Sequence, residues 1–171
     1  MKRITGAAIL VFMIVFAGQA QSFKFGHINS DELIQALPEF DTASKKLETF
    51  RQELLNTLEI MQVEFNNKND VYGKEQKNLT ELVRQTKEQE LIDLNRRIQD
   101  FQVKANDDLQ AKQAELFQPI MAKVDKAIKD VGKENGFLYI FSVGQGTPLL
   151  FFDETKSTNI MPLAKAKLGL K

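Results

Sequence analysis

The sequence predicts an α+β protein in which a long antiparallel helical hairpin, a coiled-coil arm, projects from a small β-rich body. Two observations on the middle of the chain predict the arm. From about Asp41 to Asn135 it is rich in Lys, Glu, Gln, Leu and Asn, with Gly73 the one glycine before its last turn and Pro119 the one proline. At about 100° per residue its apolar positions fall on two narrow stripes rather than one broad face. A third observation predicts the body: both flanks carry short apolar and aromatic runs punctuated by Gly and Pro, which is strand and turn material.

The bulk numbers fit one such domain. There are 171 residues, 23 basic and 23 acidic, with one His and no Cys. A formal charge of zero argues against a nucleic-acid binder. The absence of Cys excludes disulfides, thiolate metal sites, a Cys nucleophile and a lipid-modified N-terminal Cys.

The elements follow in order. Lys2 and Arg3 precede an apolar stretch, Ile4 to Ala17, and Gly18-Gln19-Ala20 sets small residues at −3 and −1 of a cleavage site. This is the layout of a secretory signal, and the stretch is shorter than the roughly 18 to 20 residues that cross a bilayer. Residues 1–20 are therefore expected to be cleaved, leaving Gln21 first and a product outside the cytoplasm with no stable membrane insertion. Residues 21–40 begin the body: Phe23 to Ile28 reads as a strand, and Ser30 and Asp31 can cap a helix over Glu32 to Leu37, which Pro38 interrupts.

Residues 41–118 form the arm. Leu47, Phe50, Leu54, Leu58, Met61, Phe65, Tyr72, Leu79 and Val83 make the first stripe. Leu91, Leu94, Ile98, Phe101, Ala105, Leu109, Leu116 and Ile120 make the second, as two helices zipped along one seam would. Thr86 and Gln89 have capping-box spacing, which places the tip near residues 77–86; Gly73 and the run Asn66 to Asn69 are the competing turn. Each helix is then about 60 Å long, whereas a globule of the mature chain would be only about 30 to 40 Å across, so the arm must project.

Residues 119–171 return to the body. Pro119 is expected to kink the returning helix, and Asn135-Gly136 to end it in a left-handed cap. Phe137 to Val143 and Leu149 to Asp153 read as two strands of a β-hairpin joined by the Gly144–Gly146 turn, and Ser157 to Leu168 as a last amphipathic helix. A three-stranded sheet leaves two edges to cover. This body carries Phe23, Phe25, Phe137, Phe141, Phe151 and Phe152, more aromatic surface than a small monomer buries, so these residues are candidates for contact between subunits.

The order of these parts resembles the Skp/OmpH family of periplasmic chaperones for outer-membrane proteins. The resemblance rests on Phe25-Gly26-His27-Ile28-Asn29 with Leu33 to Phe40 at the front. At the back it rests on Pro119-Ile120, Ala127 to Val131 and Asn135 to Phe141, with Asp153 to Leu168 matching the family's closing strand and helix. It implies a homotrimer whose strands form a barrel-like body, with three arms around a cavity. That cavity would hold unfolded outer-membrane proteins without ATP, cofactor or metal. The best-known member is strongly basic, whereas this chain is near neutral.

Several apolar residues lie off the seam: Leu55, Ile60, Val63, Val71, Ile92 and Val103. A coiled coil does not need them, and single exposed apolar residues are common. As a group they are the candidates for a dilute apolar wall that holds a client weakly at many points. His27 lacks the companions a metal site needs, and the carboxylates sit at helical spacing with Lys and Arg, as solvated charge pairs do, so no catalytic residues are expected. The competing reading is a structural or tethering coiled coil of the cell envelope, which would need a polar exterior.

Overall fold

The structure, a computed structural model, describes residues 23–144 and 146–170. The expected export signal lies outside the described residues, as does Gln145 of the Gly-rich turn. The chain runs β1 (Lys24–Ile28), α1 (Ser30–Gln35), α2 (Pro38–Glu75), a 3₁₀ turn (Gln76–Asn78), α3 (Glu81–Glu134), β2 (Phe137–Ser142), β3 (Ser157–Asn159) and α4 (Met161–Lys167). Its contacts divide into two units: Asp31–Asp125, and residues 23–30 together with 126–169.

The first unit is the helical hairpin. α1 stops before Pro38, as expected, and Pro38 then starts α2: Leu37 is the extended N-cap and Pro38 stands in the first turn. A missing N–H is no loss there, and the fixed φ is already helical. The chain reverses over Gln76 to Thr80. Thr80, rather than Thr86, takes the capping place, its Oγ1 accepting from the Val83 N–H at 3.5 Å. Thr86 lies inside α3 with its hydroxyl donating to the Leu82 carbonyl. Capping-box spacing fits only Thr86, since Thr80 has Val83 three residues on, yet the hydrogen bonds give the capping place to Thr80.

The two stripes pack against each other. Leu47, Phe50, Leu54, Leu58, Met61, Phe65 and Tyr72 of α2 are half-buried; Leu94, Ile98 and Ile120 of α3 are buried and Leu91, Phe101, Ala105, Leu109 and Leu116 half-buried. Val83 departs from its stripe and is exposed, since it follows the reversal by less than one turn. Pairing runs antiparallel, from Lys68 with Glu90 to Glu39 with Lys123, with Phe40 edge-on to Phe117 at 5.4 Å. Leu33, Leu37, Ala43 and Val124 are also buried in this unit, at the open end of the hairpin. α3 continues through Pro119, whose ring removes one helical hydrogen bond.

The second unit holds the sheet. Its order is β2-β1-β3, and both pairings of β1 are parallel. Among the described residues the expected β-hairpin is therefore absent. Leu149 to Asp153 forms no strand, and the third strand is the polar triplet Ser157–Asn159, taken from the stretch expected to be helix. The last helix begins only at Met161, whose N–H is capped by the Asn159 Oδ1 at 2.9 Å. The misreading has a clear cause: periodicity cannot tell a short apolar run in a loop from a strand, and a polar edge strand has no apolar signal.

The strands alternate faces. Gly26 and Ile28 of β1 are buried, with Ile160, Met161, Ala164, Ala127 and Val131. Gly26 is required by close approach, since a Cβ there would stand 3.0 Å from the Ile160 Cγ2 and 3.2 Å from both Ile140 and Phe137. Gly136, with φ of 68°, supplies the expected left-handed stop to α3. His27 is structural, its Nδ1 2.9 Å from the Ser157 Oγ across the β1–β3 pair.

Candidate functional site

The helical unit is held by a seam about one side chain wide, so its remaining surface faces solvent. All six off-seam candidates are exposed: Leu55, Ile60, Val63, Val71, Ile92 and Val103, with Ile60 at 69% and Val103 at 65%. A large apolar side chain left this open on a long helix is unspent burial capacity, about 25 cal/mol per Å² covered.

The six are not gathered into one wall. At about 100° per residue, Leu55 lies about 100° to one side of the α2 seam and Ile60 and Val71 about 100° to 120° to the other, while Val63 points directly away. Ile92 and Val103 share one line on α3, eleven residues or about three turns apart. Leu55 banks a groove with Leu54, Leu58, Phe101 and Ala105. Val71 lies in a separate groove with Tyr72, Lys87 and Leu91. The apolar groups are thus spread around the helices and do not form the single wall expected from the sequence.

Two exposed positions of the hairpin were missed. Met121 is 54% exposed and stands 18 residues, about five turns, after Val103 on the same line of α3, a spacing that could have found it. Leu82, 75% exposed, follows the reversal, and only the true position of the turn reveals it.

Toward the tip the seam becomes polar. Lys68 occupies a seam position between Phe65 and Tyr72 and pairs with Glu90 and with Glu64 at 3.6 Å. The Tyr72 hydroxyl donates to Glu88, and Arg84 pairs with Glu81 and, at 3.7 Å, with Glu88. The Lys68 ammonium holds the Glu90 carboxyl below its usual value, Arg84 does the same for Glu81, and Glu90 raises Lys68. Lowered folded values mean that the carboxylates' contribution is complete above the ordinary carboxylate range, and is lost as pH falls through the folded values. The raised Lys68 contributes below the usual lysine value and is lost above its folded one. Hydrogen-exchange protection over residues 68–90 is therefore expected to fall as pH drops below the ordinary carboxylate range and through the lowered values of Glu81 and Glu90, while Leu94 and Ile98, held by apolar contact, keep theirs.

In the sheet unit the face of β1 opposite Gly26 is aromatic. Phe25 stacks on Tyr139 at 6.3 Å, Tyr139 on Phe141 at 6.0 Å, and the His27 ring lies 4.6 Å from that of Phe152. Of the six aromatic candidates, Phe23, Phe141 and Phe151 are exposed; Phe25, Phe137 and Phe152 are half-buried. Phe137 stands on the Gly26 side of the sheet, where Lys24 covers its ring at 4.1 Å, which separates it from the stacked set. Next to Phe151, Leu150 is 99% exposed, and Leu138 and Tyr139 are also open. Stacked rings together with a Leu-Phe pair in water form a surface that a partner would cover.

Among the described residues no cluster of His, Asp or Glu could hold a metal ion, and no helix is long and apolar enough to cross a membrane. The family described as "Outer membrane protein (OmpH-like)" matches residues 24–168, from the first residue of β1 to just past α4. No curated protein matches the sequence.

Proposed function

Because the chain belongs to the OmpH-like family, we propose that it is an ATP-independent, non-enzymatic holdase of the periplasm that keeps unfolded outer-membrane proteins from aggregating. In this reading residues 1–20 direct export and are removed, residues 21–40 and 119–171 supply a body, and residues 41–118 an arm. Three copies associate through the body, and their arms surround the client. The observation that carries the reading is the set of exposed apolar side chains on helices whose own pairing does not use them, Ile60, Val63, Ile92 and Val103 above all. Each contact with a client is small, so release needs no nucleotide, and the sum over many contacts retains the chain. The open aromatic face of the sheet and the Leu150-Phe151 pair support self-association. A tether would have no use for the off-seam set, because a spacer gains nothing from apolar groups in water.

The test is suppression of aggregation. Ile60→Ser, Val63→Ser and Ile92→Ser together should leave the hairpin folded, since Ser, Ile and Val have similar helix propensities. Light scattering of a diluted, urea-unfolded β-barrel protein should then need about ten-fold more of the triple variant for half-suppression, equivalent to about 1.4 kcal/mol of client affinity. Unchanged suppression with unchanged native mass would remove the off-seam set from the client site.

A further inference from the structure

The groove beside Leu55 differs from the two nearer the tip because its lining carries a single charged side chain. Leu54, Leu58, Phe101 and Ala105 form its floor between α2 and α3, Leu55 is one bank, and its volume is about 300 Å³. The register explains it. With Lys68 against Glu90 and Glu39 against Lys123, Ala105 stands opposite Leu54, where neighbouring α3 seam positions carry Phe101 and Leu109. A methyl group in place of a larger side chain leaves the seam short of volume, and the floor of the gap opens to water instead of closing.

The rim is as specific as the floor. Arg51 is the one charged group among the described residues lining the groove. Its carboxylate partner is Glu48, one turn away at 3.5 Å, with both side chains more than half exposed, a pairing that gives way readily. Gln102 and Asn106 add side-chain amides to the rim. The larger groove near the tip is different in kind, lined by Glu64, Lys68, Glu90, Asp93 and Arg97.

The geometry points to the mid-arm groove as a seat for one aromatic side chain of an extended polypeptide whose neighbouring residue carries a carboxylate. The volume lies at the small end of ligand clefts, which suits a single ring rather than a larger molecule. Arg51 supplies a fork for the carboxylate, and the amides can serve the main chain on either side. The inference deepens the holdase reading and takes its biological meaning from it: among many unselective contacts, each arm would hold one side-chain-selective contact.

The experiment uses the full processed chain and two fluorescein-labelled hexapeptides, one with a central Phe-Asp pair and one with Ser-Asp, followed by anisotropy. The Phe-Asp peptide is expected to bind about ten-fold more tightly. Leu55→Trp, on an exposed bank where folding is not at risk, should fill the groove and abolish the preference, and Ala105→Leu should do so from the floor. Arg51→Gln should weaken the Phe-Asp peptide several-fold and remove most of its salt dependence. Equal binding of the two peptides, or a Phe preference that survives both filling variants, overturns the groove. Aggregation suppression measured alongside separates the two claims. A protein that selects the Phe peptide yet fails to protect an unfolded β-barrel protein keeps the groove and loses the holdase reading. One that protects without selecting does the reverse.

Discussion

Replacing Leu150 and Phe151 together by Asp is expected to convert the proposed trimer into single chains. Within one chain the two side chains are 99% and 83% exposed, in a stretch that forms no strand, so the monomer has little to lose by the change. If the proposed body closes over them, each contributes about 1.5 to 3 kcal/mol of burial. Their loss alone loosens a contact by about two to four decades of affinity. An unpaired carboxylate in a dry interface costs more still. Light scattering should therefore report a fall from three chains to one at micromolar protein, with an unchanged far-ultraviolet dichroism spectrum. A variant that keeps the three-chain mass would show that the loop lies outside the subunit contact.

Ile160→Ala should have the largest effect on the stability of a single chain. Ile160 is fully buried, its N–H donates to the His27 carbonyl at 3.0 Å, and its carbonyl accepts from Ala164 at 2.9 Å, so it joins the end of β3 to α4. Truncation to Ala leaves a cavity and should cost about 2 to 5 kcal/mol. Gly26→Ala should also destabilise, by about 1 to 3 kcal/mol, because its Cβ would meet the Ile160 Cγ2 at 3.0 Å. The two changes oppose each other in volume, since the atom that clashes is one that Ile160→Ala removes. Denaturant midpoints should therefore show the double variant more stable than the sum of the singles predicts, by about 0.5 to 3 kcal/mol. Strict additivity would mean that the two sites relax independently.

The helical part was readable because its information is local and repeated. A stripe from Leu47 to Tyr72 needs only the helical period to be seen, and a second from Leu91 to Ile120 implies a partner of matching length. The exposed apolar candidates were readable for the same reason, since being off the stripe is also a statement about period. How they group was not, because Leu55 joins Phe101 and Ala105 in a groove only once the register of α2 against α3 is set. Pro38 was legible as a boundary because its ring ends one helix and suits the first turn of the next. Thr86 was misplaced because a threonine can cap a helix or sit inside one, and only the hydrogen bonds of Thr80 and Thr86 decide.

Periodicity and composition alone thus specified a paired-helix protein with an aromatic flank at each end, and the order of those parts pointed to the OmpH-like family. Folding in three dimensions decided the sheet. β1 takes the central place, parallel to β2 more than 100 residues later and to the polar β3, and Leu149 to Phe152 is left outside it. The reason is physical: a helix closes its hydrogen bonds four residues away and so writes its pattern locally, whereas a strand's partner can be anywhere in the chain. Here the pairing that forms sets Ile140, Phe137 and Ile160 against the bare backbone of Gly26, residues that no local pattern brings together.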